Sequence, residues 1–271
     1  MAVVERVILF VVDGMRPDAM LAAKAPTMRR LMENGAYTME ARTVMPSITL
    51  PTHLAMFYST PPDVHGVHSN LFRDFPDGSP PGITEVVRSA GKRAAFYHSW
   101  EPLRDLSRPG ALAESRFVDI YSHPLNQVDM MVGQMAADGI VTTRPNFAFV
   151  YLGVPDEVAH KHRWMSPEYL ESIAWADAAL GYVLERLEAV GMLDTTACLL
   201  TADHGGHEHR HGSDCAEDMT IPWILAGAGT RRGVKLQTPV SILDTAPTIA
   251  TLLGLDIPTG WQGNVVREAL E

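Results

Sequence analysis

The sequence is poor in cysteine, in net basic charge and in long apolar runs. Cysteine occurs only at Cys198 and Cys215, with no Cys-x-x-Cys spacing. Two cysteines make no disulfide framework, and the chain reads as one that folds in a reducing compartment. Lys and Arg total 22 against 32 Asp and Glu, a net charge of −10. No general electrostatic attraction to nucleic acid follows from that balance, because phosphate neutralisation depends on Lys and Arg, and no nucleic-acid surface is expected. An acidic chain can still take an anionic substrate where bound cations supply the local positive charge. The N-terminal apolar run, Val7–Val12, is too short to cross a bilayer. It carries no small-residue cleavage site and passes straight into Asp13-Gly14. No other stretch is long enough to span, so the expectation is a cytoplasmic protein with no membrane partner. Internal repeats and low-complexity linkers are also missing.

A chain of 271 residues, 46% hydrophobic and 20% charged, has the balance of an ordinary globular protein. Short continuous apolar runs read as buried strands of a parallel sheet. Val7–Val12, Ala94–Tyr97, Phe147–Leu152, Cys198–Thr201 and Trp223–Ala226 are such runs. Helical spacing lies between them at Asp18–Asn34, with Gly35 as a C-terminal cap, and at Pro124–Ala137, Pro167–Val190 and Ser241–Leu253. Residues 60–82 and 227–233, rich in Pro and Gly, read as loops. Strands alternating with helices predict an α/β three-layer sandwich, a mostly parallel central sheet flanked by helices, in one domain over residues 1–271.

In open α/β sheets, sites form beyond the carboxyl ends of the strands. Four polar clusters fall at such ends. Asp13 follows the first strand, Asp156 follows Phe147–Leu152, Asp203-His204 follows Cys198–Thr201, and Thr49 follows the extended stretch Tyr37–Thr43. Asp156 and His160 are four residues apart, so on a helix they are neighbours one turn apart, a spacing that suits two ligands on one ion. The bland alternative is a helix-capping Asp with a surface His. Asp203-His204 is followed by Gly205-Gly206, which lets the chain pass close to a ligand or simply turn. Asp13-Gly14 reads equally as a strand-to-helix turn, and Thr49 as a helix cap. Taken together, three carboxylates, several imidazoles and a hydroxyl provide the N and O ligands of a site for two divalent ions of the zinc type, with manganese also admitted. Two such ions can hold the oxygens of a transferring phosphoryl group, and one can lower the pKa of the Thr49 hydroxyl.

The motifs that carry these residues are VVDGMRPD (Val11–Asp18), PSITLPTH (Pro46–His53), HGVHSN (His65–Asn70), PDEVAH (Pro155–His160), DHG (Asp203–Gly205) and HGSD (His211–Asp214). In this order they resemble the alkaline phosphatase superfamily and, within it, the type I phosphodiesterase/nucleotide pyrophosphatase family. The resemblance implies an alkaline phosphatase-like fold and a two-metal hydrolase of phosphate esters. Asp13, Thr49, Asp203 and His204 would surround one ion, and Asp156, His160 and His211 the other. Thr49 would be the nucleophile and form a phospho-threonine intermediate. Asn70 and the Thr49 N–H would donate to a phosphoryl oxygen. The substrate implied is a small phosphate or phosphonate compound.

The sequence departs from the family in two ways, and it also lacks the mark of a sister branch. Residues 60–145 leave room for only a reduced cap. Leu50 stands in the substrate-binding position where nucleotide-cleaving members place an aromatic residue to stack on a base. Nothing like the sulfatase C/S-x-P-x-R segment lies near Thr49. Phosphonate hydrolysis and phosphomonoester hydrolysis remain alternatives, and so does a degenerate metal-binding protein without activity. Four of the 11 histidines fall within residues 204–211, but only His204 and His211 match motif positions. His207 and His209 read as bystanders on the connecting loop, with His207 the closer substitute. His53 and His65 read as residues behind the ligands.

Overall fold

Six apolar residues follow Arg6 to make a strand, Arg6–Val12 (β1), that is buried along its whole length. The computed structural model describes residues 3–71, 74 and 78–271. After β1 come helices Pro17–Ala22 (α1) and Pro26–Asn34 (α2), strand Gly35–Arg42 (β2), and helices Thr49–Tyr58 (α3), Pro62–His65 (α4) and Ile83–Ser89 (α5). The middle of the chain supplies Ala94–His98 (β3), Glu114–Phe117 (β4), Leu125–Thr143 (α6), Phe147–Leu152 (β5), Val154–His162 (α7) and Pro167–Ala189 (α8). The last part supplies Thr196–Thr201 (β6), Ala216–Met219 (α9), Thr220–Gly227 (β7), Val234–Lys235 (β8) and Thr245–Leu252 (α10).

Among the described residues, eight strands form one sheet in the order β4-β3-β5-β1-β6-β7-β2-β8. Only β7 runs against its neighbours, β6 and β2; the other pairings are parallel. One face is covered by α8 with α1, α2, α6 and α7, the other by α3 with α5 and α10. This is the expected three-layer arrangement, with continuous apolar strands because both faces are dry. No described helix is long and apolar enough to cross a membrane.

Some expected elements differ. The single helix Asp18–Asn34 is two, because Pro26 lacks an N–H to continue α1 and instead opens α2. Gly35 is no left-handed cap: at φ −127° it is extended and begins β2. The helix expected to stop at Ala137 runs on to Thr143. Its Gly139 is inside the helix, where a Cβ would lie 2.3 Å from the Tyr97 hydroxyl of β3. The stretch 60–145, read as a reduced cap, contributes α5, β3, β4 and α6 to the layers of the sandwich. Of the loop 60–82, residues 72, 73 and 75–77 lie outside the described residues.

What positions the site is the centre of the sheet. Strands β5, β1 and β6 are adjacent, and Val11 pairs with both Tyr151 and Thr201. Asp13 and Asp203 each lie two residues beyond that register. The parallel pairing thus brings them to one rim, with the head of α7 beside them.

Candidate active site

Asp13, Asp156, Asp203 and His204 converge at this rim. His204 Nε2 is 3.4 Å from Asp13 Oδ1, 3.2 Å from Asp203 Oδ2 and 3.3 Å from Thr49 Oγ1. On α7, His160 Nε2 lies 3.3 Å from Asp156 Oδ2, and His211 Nε2 lies 3.8 Å from Asp156 Oδ1. All seven candidate ligands therefore gather in two groups that meet at Asp156. Asp203 and His204 face the same point because the chain turns after β6, rather than continuing extended with opposed side chains.

The backbone shows why these side chains are held. Gly14 adopts φ +67°, and a Cβ there would lie 3.0 Å from Asp156 Oδ1. Its N–H donates to Asp203 Oδ1 at 3.1 Å. Its carbonyl accepts from Trp164 Nε1 at 2.9 Å and from the Tyr169 hydroxyl at 2.8 Å. Arg16 pairs with Asp18 at 2.7 Å and donates to the Gly206 carbonyl at 3.2 Å, bracing the first turn. Gly205 serves packing rather than ligand approach: a Cβ there would meet the Glu217 carbonyl at 2.0 Å.

Thr49 opens α3 but does not cap it; Ile48 holds the cap position. Its Oγ1 is left to face His204. His53, fully buried one turn on, pairs through Nδ1 with the Thr49 carbonyl at 2.7 Å and lies 3.6 Å from Asp203 Oδ2. Burial pushes His53 down to about 4, so it stays neutral. His65 instead accepts the Val67 N–H and braces its own loop. Asn70 Oδ1 accepts the Leu50 N–H at 3.0 Å, which leaves the amide nitrogen for the cavity. The Leu50 side chain itself is fully buried in the core. It does not line the cavity, and the reading of Leu50 as substrate-binding is corrected on that ground; only its backbone faces Asn70.

The cavity over these groups has a volume of about 270 Å³. Trp100, Ile120 and Tyr121 also line it, and the Tyr121 hydroxyl donates to Glu157 Oε1 at 2.7 Å. Trp100 and Tyr121 escape a sequence reading because they lie on short irregular segments without periodicity. Tyr151 escaped it too. The Tyr151 hydroxyl donates to Asp13 Oδ2, yet in the sequence it is one more apolar position of β5.

The donor set fits divalent cations on its own chemistry. Each of His160, His204 and His211 places Nδ1 on a backbone carbonyl: His209 at 2.8 Å, Gly205 at 2.8 Å and Ser47 at 2.8 Å. Fixing Nδ1–H in this way leaves the Nε2 lone pair aimed at carboxylates. Among the described residues, the buried oxygens Asp13 Oδ1, Asp156 Oδ1 and Asp203 Oδ2 have no hydrogen-bond partner. Lone pairs turned on carboxylates in a dry site are repulsive unless a cation sits between them. A proton answers this only in part. The Asp156 hydrogen bond raises His160 to about 9, whereas burial lowers His204 to about 3. Asp13 is pushed up by burial and by Asp203 and Asp156, and Asp203 by burial and Asp156. Bound divalent cations remove that cost. His209 reaches the site only through its backbone, with its Nδ1 on the His160 carbonyl at 3.1 Å. His207 is no substitute ligand here, since its Nδ1 is held by Asp218 at 2.7 Å.

A family model described as type I phosphodiesterase/nucleotide pyrophosphatase matches residues 7–219. The chain is 25% identical over 223 residues to ectonucleotide pyrophosphatase/phosphodiesterase family member 3 of Rattus norvegicus, covering 73% of this chain and 24% of that protein. It is 24% identical over 268 residues to GPI ethanolamine phosphate transferase 1 of Candida glabrata, covering 87% of this chain and 28% of that protein. The chain thus spans about a quarter of the length of these curated relatives. In fold, it matches a structure of murine ectonucleotide pyrophosphatase/phosphodiesterase 5 in complex with AMP at a TM-score of 0.81, with 16% identity and 98% and 100% of the two chains covered. It also matches a phosphonate monoester hydrolase from Silicibacter pomeroyi at 0.71, with 16% identity and 97% and 76% covered. The chain belongs to the type I phosphodiesterase/nucleotide pyrophosphatase family.

Proposed function

We propose that this member of the type I phosphodiesterase/nucleotide pyrophosphatase family is a metal-dependent hydrolase of phosphate esters, with diesters the favoured class. The observation that carries the reading is the convergence of three partnerless carboxylate oxygens and three Nε2 lone pairs beside one hydroxyl, Thr49 Oγ1. Asp13, Asp203, His204 and Thr49 would hold one cation, and Asp156, His160 and His211 a second. Bound cations, zinc or manganese with this N/O set, would supply Lewis-acid charge that lowers the Thr49 pKa and stabilises the leaving oxygen.

The chain's own residues do the rest. Thr49 Oγ1 releases its proton to solvent and attacks phosphorus, the Thr49–phosphorus bond forms, the bond to the leaving oxygen breaks, and the leaving group takes a proton from solvent. Water then attacks the phospho-threonine and frees the hydroxyl. The Asn70 amide nitrogen and the Thr49 N–H, at the open first turn of α3, orient the phosphoryl oxygens. His53 fixes the backbone of the nucleophile, and Tyr151 fixes Asp13. Trp100 and Tyr121 face the ester substituents and keep water from that side.

The test is a panel on chelator-stripped protein reloaded with zinc or manganese. It compares bis(p-nitrophenyl) phosphate, p-nitrophenyl phosphate and phosphonoacetate. Turnover that requires metal and favours the diester is expected. Turnover of phosphonoacetate alone would transfer the site to carbon–phosphorus cleavage. No turnover of any member by metal-loaded protein rejects the hydrolase reading.

A further inference from the structure

The loop from Gly205 to Cys215 joins the Asp203-His204 segment to His211, and it carries a second set of donors outside the cavity. His207 Nδ1 lies 2.7 Å from Asp218 Oδ1 and 3.5 Å from Cys215 Sγ. Ser213 Oγ lies 3.2 Å from Cys215 Sγ and 2.8 Å from Asp218 Oδ2. The donor atoms of His207, Cys215 and Asp218 are all within 4.8 Å of one another. With Zn–N near 2.0 Å and Zn–S near 2.3 Å, the N–S edge of a tetrahedral zinc site is about 3.5 Å. That is the separation found between His207 and Cys215.

We infer that His207, Cys215 and Asp218 form a further divalent-cation site of the zinc type, separate from the catalytic cavity. Its charges close: one carboxylate, one thiolate and a neutral imidazole balance a doubly charged ion. Asp218 is fully buried, and the N–H and hydroxyl of Ser213 already fix its second oxygen. Cys215 is half-buried, so an ion has a path in. Binding requires Cys215 to release its thiol proton to solvent and His207 to carry its remaining proton on Nε2. Arg210 Nε now donates to that nitrogen at 3.2 Å from an exposed side chain, which has to turn away when the ion binds. Without the ion, His207 donates Nδ1–H to Asp218 and accepts from Arg210.

The bound ion ties the loop where it matters. Asp218 accepts the Ser213 N–H, the Ser213 carbonyl accepts from Ser47 Oγ at 2.8 Å, and the Ser47 carbonyl pairs with His211 at 2.8 Å. The cluster therefore sets the spacing between His211 and the loop that leads into Thr49.

The experiment titrates the chelator-stripped full chain with cobalt(II) chloride. A thiolate-to-cobalt charge-transfer band in the near ultraviolet is expected, with zinc displacing it. It disappears in Cys215→Ser and His207→Ala and persists in His209→Ala. Elemental analysis should find one ion fewer per chain in Cys215→Ser, and zinc should protect the Cys215 thiol from a thiol reagent. Cys198, buried in β6, contributes to neither signal. Cobalt-saturated wild-type protein without the band, with Cys215 equally reactive with and without zinc, overturns the inference. That comparison uses wild-type protein and stands even if a variant misfolds.

Discussion

Replacing Tyr151 with Phe removes one oxygen atom and tests whether the residues behind the ligands tune the site. The Tyr151 hydroxyl donates to Asp13 Oδ2 from a side chain that is 3% exposed. Burial and the nearby Asp13 push its pKa up, so it keeps its proton and remains a donor. A hydrogen bond to a charged group is worth about 1.5–3 kcal/mol. Lost from a ligand, that amounts to about 10–100-fold in a dissociation constant, the range found for partners that orient metal ligands. Phe keeps the ring contacts with His53, whose centroid lies 5.5 Å away, and with Phe149 at 6.4 Å. The fold should therefore lose only ~1 kcal/mol. The assay is calorimetric titration of zinc into stripped wild-type and Tyr151→Phe protein, with thermal melts of both. The ion held by Asp13 should bind about 10–100-fold more weakly, and the ion held by His160 and His211 should change little. Equal affinities for both ions in the two proteins would refute the argument.

Three further outcomes are expected. Leu50→Phe should over-pack the core and cost ~1–3 kcal/mol in denaturant unfolding; a selective gain in kcat/KM for a nucleotide ester would instead place that side chain in the cavity. His211→Ala should lower the zinc content by one ion, while His209→Ala should not, because His209 reaches the site through its carbonyl; the reverse pattern rejects the ligand choice. Asp129, buried in α6, accepts the Val154 N–H at the head of α7, and burial raises its carboxyl to about 8. Its folded pKa exceeds its unfolded one, so it costs nothing below about pH 4, destabilises increasingly as pH rises from there to about 8, and levels off above that. Asp129→Asn keeps the acceptor and removes the charge. It should stabilise by ~3–4 kcal/mol more at pH 8 than at pH 5, and equal melting shifts at the two pH values would contradict this.

How far the site was legible can be traced through single residues. Asp13, Asp156 and Asp203 were legible because strand ends and motif spacing both mark them, and parallel pairing turns strand ends into neighbours. Tyr151 was not. Its hydroxyl finds Asp13 only through the register of β5 on β1, which no local pattern encodes. Leu50 differs for a related reason: family position alone implies that the residue after Thr49 points to substrate, whereas the start of α3 turns it inward. Trp100 and Tyr121 border the cavity from segments too short to show a period. In the fold, the long central strands stood out, while edge strands β4 and β8 are four and two residues long and leave almost no alternation to read. The break between α1 and α2 was written in Pro26, and helical spacing on either side hid it.

The central claim is that metal-loaded protein cleaves phosphate esters through the Thr49 hydroxyl. The most direct measurement compares wild type and Thr49→Ala, both loaded with zinc and matched in metal content and melting temperature, on bis(p-nitrophenyl) phosphate. The account predicts turnover by the wild type that a chelator abolishes, and at least a ~10³-fold loss in Thr49→Ala. Undiminished turnover by Thr49→Ala would contradict it.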